Sequence, residues 1–172
     1  VTIRGQKPGA RFGATVTGAG DINGDGFEDI AVSSCLGNQG GAVYVYPGRP
    51  RAAWPQIMDA ADANITFRMP NSPTFGLALA AGRDIDGDTF PDIVVGDPLG
   101  SANAQLENGV VWVFRGGPGL MDGIGPSWTA QPAWDAMDVG SSSSPAAGDL
   151  NGDRVLDILV GHFLGTSKGV RN

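Results

Sequence analysis

With 172 residues, 41% of them hydrophobic, the chain is long enough for one cored domain or a few repeat units and too apolar to be disordered. Its 28 glycines and 12 prolines follow no Gly-X-Y period, which excludes collagen and points to many short strands joined by turns. A net charge of −7 disfavours a nucleic-acid partner, and no apolar run approaches the ~20 residues of a membrane span.

In chain order the elements read as β, and they repeat. Val1-Thr2-Ile3-Arg4 is a short strand signal. Phe12-Gly13 then opens a stretch that runs through an acidic loop, residues 21–29, into the apolar run Ile30-Ala31-Val32. Ala42-Val43-Tyr44-Val45-Tyr46 is apolar on both strand faces, the pattern of a strand sandwiched between neighbouring sheets. Ile65-Thr66-Phe67-Arg68 is an outer strand. Phe75-Gly76 restarts the series with the loop 84–92, then Ile93-Val94-Val95, Val110-Val111-Trp112-Val113-Phe114 and Trp128-Thr129-Ala130. Val139-Gly140 starts a third pass, with the loop 149–157, Ile158-Leu159-Val160 and the start of a further strand at Gly169-Val170. The leading aspartates Asp21, Asp84 and Asp149 are 63 and then 65 residues apart.

About four short strands per unit make the blade of a β-propeller, and no stretch has a helical period. The expected fold is therefore all-β, with blades at residues 12–74 and 75–138 and an incomplete blade at 139–172. Residues 1–4 precede Phe12-Gly13 as residues 65–68 precede Phe75-Gly76, so 1–11 are read as the outer strand of a neighbouring blade. Propeller rings have about four to eight blades. The expectation is a fragment of a larger ring, or copies that self-associate to close one.

Each loop has the form Asp-x-Asn/Asp-Gly-Asp-x-x-x-Asp, with oxygens at positions 1, 3, 5 and 9 and a main-chain carbonyl expected at position 7. The ligand sets are Asp21, Asn23, Asp25, Asp29 with the Phe27 carbonyl; Asp84, Asp86, Asp88, Asp92 with that of Phe90; and Asp149, Asn151, Asp153, Asp157 with that of Val155. Calcium takes about six to eight hard oxygens, and a tight loop turns alternate side chains onto one centre. Glycine at position 4 (Gly24, Gly87, Gly152) lets the chain turn without a Cβ in the way. Packing these carboxylates together without a cation would be repulsive. Ten of the 18 acids are in these sets, and three divalent ions would take the charge from −7 to −1.

All-oxygen ligation argues against zinc and copper, while magnesium prefers fewer protein ligands and more water. An EF-hand would need Glu at position 12 and flanking helices, but that position is Val32, Val95 and Val160, each in an apolar strand. The bland alternative is an ion-free acidic turn. It accounts for one loop more easily than for three at one spacing.

Phe-Gly, the Asp-rich loop and Gly96-Asp97-Pro98 after the next strand together resemble the FG-GAP repeat of integrin α-subunit propellers and their bacterial relatives. The resemblance implies a propeller, most commonly seven-bladed, with calcium in the hairpin between the first two strands of each blade. It also implies that Phe12-Gly13, Phe75-Gly76 and Gly96-Asp97-Pro98 pack between blades. Three places depart from the pattern: Val139 stands for Phe, and Ser33-Ser34-Cys35 and Gly161-His162-Phe163 for Gly-Ala-Pro. Loop position 6 is glycine in the family. Gly26 conforms and Thr89 and Arg154 do not, so a positive φ there would strain the second and third loops.

Other motifs carry less. Cys35 excludes an internal disulfide and reads as a small buried hydrophobe. His162 beside Ser141–144 lacks the orienting group and oxyanion pocket of a triad. Gly116-Gly117-Pro118-Gly119 is a turn, since no Lys-Ser/Thr follows. Trp112 reads as core, whereas Trp54 and Trp134 lie in Pro/Ala-rich loops that a partner could reach. Asn64-Ile65-Thr66 fits a glycosylation sequon within a predicted strand.

The functional expectation is a calcium-binding, non-catalytic scaffold, secreted or on a cell surface, that engages a protein or glycan and holds about three Ca²⁺ per chain. The alternative is a propeller enzyme, a lyase or glycosidase. It would need converging catalytic groups at the ring centre, and the chain has one His, two Tyr and acids mostly assigned to metal.

Overall fold

The computed structural model describes residues 1–35, 40–69, 71–100 and 109–118, together with the backbone of strands 143–148 and 157–162. The strands in chain order are β1 (Thr2–Arg4), β2 (Phe12–Gly20), β3 (Asp29–Ser34), β4 (Gly41–Tyr46), β5 (Ile57–Asp59), β6 (Ile65–Met69), β7 (Ala78–Arg83), β8 (Asp92–Asp97), β9 (Val110–Phe114), β10 (Ser143–Gly148) and β11 (Asp157–His162). Two single-turn 3₁₀ helices, Arg51–Ala53 and Ala60–Asp62, lie between β4 and β6.

The first repeat forms the antiparallel sheet β2-β3-β4-β6, the second β7-β8-β9, and the third the hairpin β10-β11. The expected strands at 30–32, 42–46, 65–68, 93–95, 110–114 and 158–160 fall in β3, β4, β6, β8, β9 and β11. Those at 128–130 and from 170 lie outside the described residues. The leading strands of the repeats, β2, β7 and β10, run beside one another in that order. Successive blades of a propeller present their first strands to a common axis in this way.

Alternation along the strands explains why both faces are apolar. Val43 and Val45 of β4 point into a core shared with the next blade, while Ala42, Tyr44 and Tyr46 point the other way. In β8 and β9, Ile93, Val95, Trp112 and Phe114 face the first blade, and Val94, Val111 and Val113 face away from it. The shared core is closed by rings from both blades. Phe67 stacks on Phe114 with centroids 4.0 Å apart, and Phe75 meets Phe114 edge-on at 6.1 Å. Phe75, of the second Phe-Gly pair, is fully buried there.

Two placements could not be read from local pattern. β1 pairs in parallel with β5, Thr2 opposite Ile57 and Arg4 opposite Asp59. Trp54, read as a loop residue within a partner's reach, lies between β4 and β5 and is half-buried on the outer apolar face of the first blade. Its Nε1–H donates to the Arg49 carbonyl at 3.0 Å, and the Arg49 guanidinium lies 5.2 Å from its ring centroid. Half-burying the indole against the cluster that includes Tyr44, Tyr46 and Met58 removes apolar surface from water.

Asp97, in the Gly96-Asp97-Pro98 segment, is buried, and its Oδ1 accepts hydrogen bonds from Ser72 Oγ and from Thr74 Oγ1, the latter at 2.7 Å. The Leu99 N–H donates to Thr74 Oγ1 at 2.9 Å. These bonds tie the turn after β8 to the segment that enters β7.

Gly41 starts β4 with its N–H on the Ser72 carbonyl at 2.7 Å, and a Cβ there would collide with the backbone oxygen of Phe75. Gly41→Ala should therefore lower unfolding free energy by about 1–3 kcal/mol. Urea unfolding measures this. An unchanged midpoint would show that the blade contact relaxes freely.

Candidate metal centres in the blade loops

In each described blade a one-residue bulge precedes the acidic loop: Ala19 is skipped in the β2–β3 register and Gly82 in the β7–β8 register. A bulge re-aims the chain that follows it. Position 4 needs φ > 0, and Gly24 (φ 76°) and Gly87 (φ 83°) supply it.

Loop one is wound by its own side chains. Asp21 Oδ1 accepts from the Asp25 N–H and Oδ2 from that of Gly26, both at 2.9 Å. Asn23 Oδ1 accepts from the Asp25 N–H, and Asp25 Oδ1 from the Phe27 N–H, again at 2.9 Å. The second side-chain contact of Asn23 is Nδ2–H to Asp25 Oδ2 at 2.9 Å. Loop two has the same plan. Asp84 accepts from the N–H groups of Gly87 (2.7 Å) and Thr89 (2.8 Å), Asp86 from that of Asp88 (3.3 Å), and Asp88 from that of Phe90 (2.9 Å).

Asp84, Asp86 and Asp88 each present a carboxylate oxygen, and the three lie within 4.8 Å of one another. Ligands at ~2.3–2.6 Å from one ion are at most about 5 Å apart, so the trio fits a single calcium. In loop one Asn23 replaces the middle carboxylate, and among the described residues no trio of acids converges to that degree there.

The position-9 carboxylates do something the spacing did not reveal. Asp29 and Asp92 are each 1% exposed. One oxygen accepts the N–H of loop position 2, from Ile22 at 3.1 Å and from Ile85 at 2.7 Å. The other accepts the N–H of a glycine just past the third strand, Gly48 at 2.7 Å and Gly116 at 2.9 Å. Each therefore clamps the loop to the far end of its blade, while each oxygen keeps a further lone pair. Burial pushes both carboxyls above the ordinary range. The two backbone bonds oppose that shift, and the neighbouring loop aspartates add to it.

Phe27 and Phe90, the expected carbonyl donors, occupy matching places. Phe90 also sets its ring against loop one, where a Cβ on Gly24 would meet ring atom Cε1 at 2.7 Å. The third set lies outside the described residues except for Asp157, whose backbone begins β11. Arg115, Gly48 and Gly116 were not anticipated. A signal for the glycines was present, since each follows an apolar strand by two residues, in Tyr46-Pro47-Gly48 and Phe114-Arg115-Gly116. Arg115 Nε donates to Asp86 Oδ2 at 2.9 Å.

Thr89 has φ 81°, next to φ 89° for Gly26 at the same loop position. A β-branched residue there is strained, at a cost of about 1–3 kcal/mol. Thr89→Gly should raise stability by about 1 kcal/mol once the greater chain entropy of glycine is subtracted. Thermal unfolding checks this, and a fall in midpoint would mean that the threonine side chain offsets its own strain.

The FG-GAP repeat family model matches residues 12–46 and 75–114. The chain is 42% identical over 91 residues to integrin alpha-PS2 of Drosophila melanogaster, covering 50% of this chain and 6% of that protein. It is 39% identical over 92 residues to integrin alpha-V of Gallus gallus, covering 51% of this chain and 8% of that protein. With integrin alpha-11 of Homo sapiens it shares 30% identity over 168 residues, 92% of this chain and 13% of that protein. The chain thus spans only a small part of the length of these curated relatives. The bulged, glycine-turned loops, the shared core between sheets and these matches agree: the chain is built of integrin α-like FG-GAP repeats folded as β-propeller blades.

Proposed function

We propose that the blade loops bind calcium and that the blades act as a non-catalytic adhesion scaffold, secreted or on a cell surface, engaging a protein or glycan partner. The observation that carries the metal reading is the convergence of Asp84, Asp86 and Asp88 in a loop that recurs at the same place in successive blades. The integrin likeness supports adhesion over catalysis. The ligands would be Asp21, Asn23, Asp25, Asp29 and the Phe27 carbonyl; Asp84, Asp86, Asp88, Asp92 and the Phe90 carbonyl; and Asp149, Asn151, Asp153, Asp157 and the Val155 carbonyl. The blades would divide at 12–74, 75–138 and 139–172, with further blades or a second copy completing the ring.

Calcium would supply the positive charge that lets several carboxylates share one loop. The protein's part is to pre-wind each loop on backbone N–H bonds and anchor it through Asp29 or Asp92 to the blade's third strand. Extracellular modules hold calcium at roughly 10⁻⁴–10⁻³ M. At tenfold excess over Kd, each site adds about 1.4 kcal/mol to stability.

The test is a calorimetric calcium titration of metal-stripped protein with parallel melting curves. The expected result is about three ions per chain and a rise in Tm that scales with calcium. No heat and no Tm change at millimolar calcium would leave the loops as acidic turns.

A further inference from the structure

We propose that Arg115 sets the cation affinity of the second loop by offsetting its extra carboxylate; this rests on the calcium reading above. The two described loops differ in charge at one ligand position. At its ligand positions loop one carries three carboxylates, Asp21, Asp25 and Asp29, with the neutral Asn23 at position 3; Glu28 is a fourth acid outside the ligand set. Loop two carries four, with Asp86 at that position.

The structure places the compensation. Gly48 and Gly116 are equivalent, because each gives its N–H to the position-9 carboxylate of its own blade. The residues just before them, Pro47 and Arg115, are therefore equivalent as well. Loop one has an amide at position 3 and a proline before its glycine, whereas loop two has a carboxylate and a guanidinium at those positions, and these two are in contact. Arg115 Nε lies 2.9 Å from Asp86 Oδ2, and one positive charge against the four ligand carboxylates leaves the ligand set of loop two at −3, the charge of the three ligand carboxylates of loop one.

Arg115 is 55% exposed and the Asp86 side chain 20% exposed, so as a surface ion pair the contact adds little to folding. Its consequence lies elsewhere, because Asp86 is one of the three carboxylates whose oxygens converge. A cation entering loop two meets a positive charge paired with one of its ligands and competes with it for the same carboxylate. Arg115 thus lowers the affinity that four ligand carboxylates would otherwise give and narrows the difference between the two ligand sets.

Calcium titrations followed by amide resonances separate the loops within one 17.6 kDa chain, with Gly87 and Thr89 reporting loop two and Gly24 and Gly26 reporting loop one. At low ionic strength Arg115→Gln should tighten loop two by about three- to tenfold and leave loop one unchanged. Arg115→Lys should stay near the parent and Arg115→Glu should bind tighter than Arg115→Gln. Adding Asp86→Asn to Arg115→Gln should return loop two to the parent range. This ordering follows charge, so it holds for whichever variants fold, and the loop-one amides report the fold in each. If loop two binds equally or more weakly in Arg115→Gln while both loops still respond, Arg115 has no such role. If neither loop responds at millimolar calcium, the metal reading falls and this inference falls with it.

Discussion

Phe114→Ala should destabilise the protein by about 3–5 kcal/mol, among the largest losses of any single substitution in the described residues. The ring is 3% exposed, stacked on Phe67 of the first blade and edge-on to Phe75 at the entry to the second. Removing it forfeits the transfer energy of a buried aromatic and leaves a cavity that the flanking β-sheets can collapse into only partly. Two aromatic contacts are lost as well. Because the hole lies between blades, the loss should also reduce cooperativity: the urea transition should broaden or split as the blades lose their common core. Phe27→Ala serves as control, since that ring is 41% exposed and should cost within about 0.5 kcal/mol. A loss below about 1 kcal/mol for Phe114→Ala would mean that the blades are held together elsewhere.

Asp29→Ala should cost about 2–4 kcal/mol in metal-free protein. Two backbone N–H groups, those of Ile22 and Gly48, lose their acceptor where water cannot readily replace it. Each unsatisfied donor costs about 1–3 kcal/mol, offset in part because ionising a buried carboxylate is itself unfavourable. Asp21→Ala makes the informative contrast. Its carboxylate winds the exposed part of the loop, so its metal-free cost should be smaller, near 1 kcal/mol. If the loop holds calcium as proposed, both variants should lose the rise in Tm from that site. Unfolding of both proteins with and without calcium gives the four values needed. Equal losses for the two in chelator would show that Asp29 does not act as a clamp.

The dual position of Asp29 shows where reading along the chain stops. Its place as the ninth residue of an oxygen-rich loop is visible from spacing alone. Its bond to Gly48 spans 19 residues, and the matching bond from Asp92 to Gly116 spans 24. These partners meet only because the third strand pairs antiparallel with the second and so brings its end back beside the loop. Arg115 is the same case: an unremarkable cation after an apolar strand until β9 sets it against Asp86.

What was legible was local. Alternation of period two, turn-forming residues and the recurrence of Phe-Gly with an Asp-rich loop were enough to predict an all-β chain of blades and to locate its loops, because each rests on neighbours within a few residues. The strain expected at Thr89 was legible for the same reason, as φ is a property of one residue in one turn. The parallel pairing of β1 with β5, the packing of Trp54 on the outer face of the first blade and the three-ring contact of Phe67, Phe75 and Phe114 were not. Those depend on which sheet faces which. That is decided by the total apolar area buried as whole blades pack, a quantity no short stretch of sequence carries.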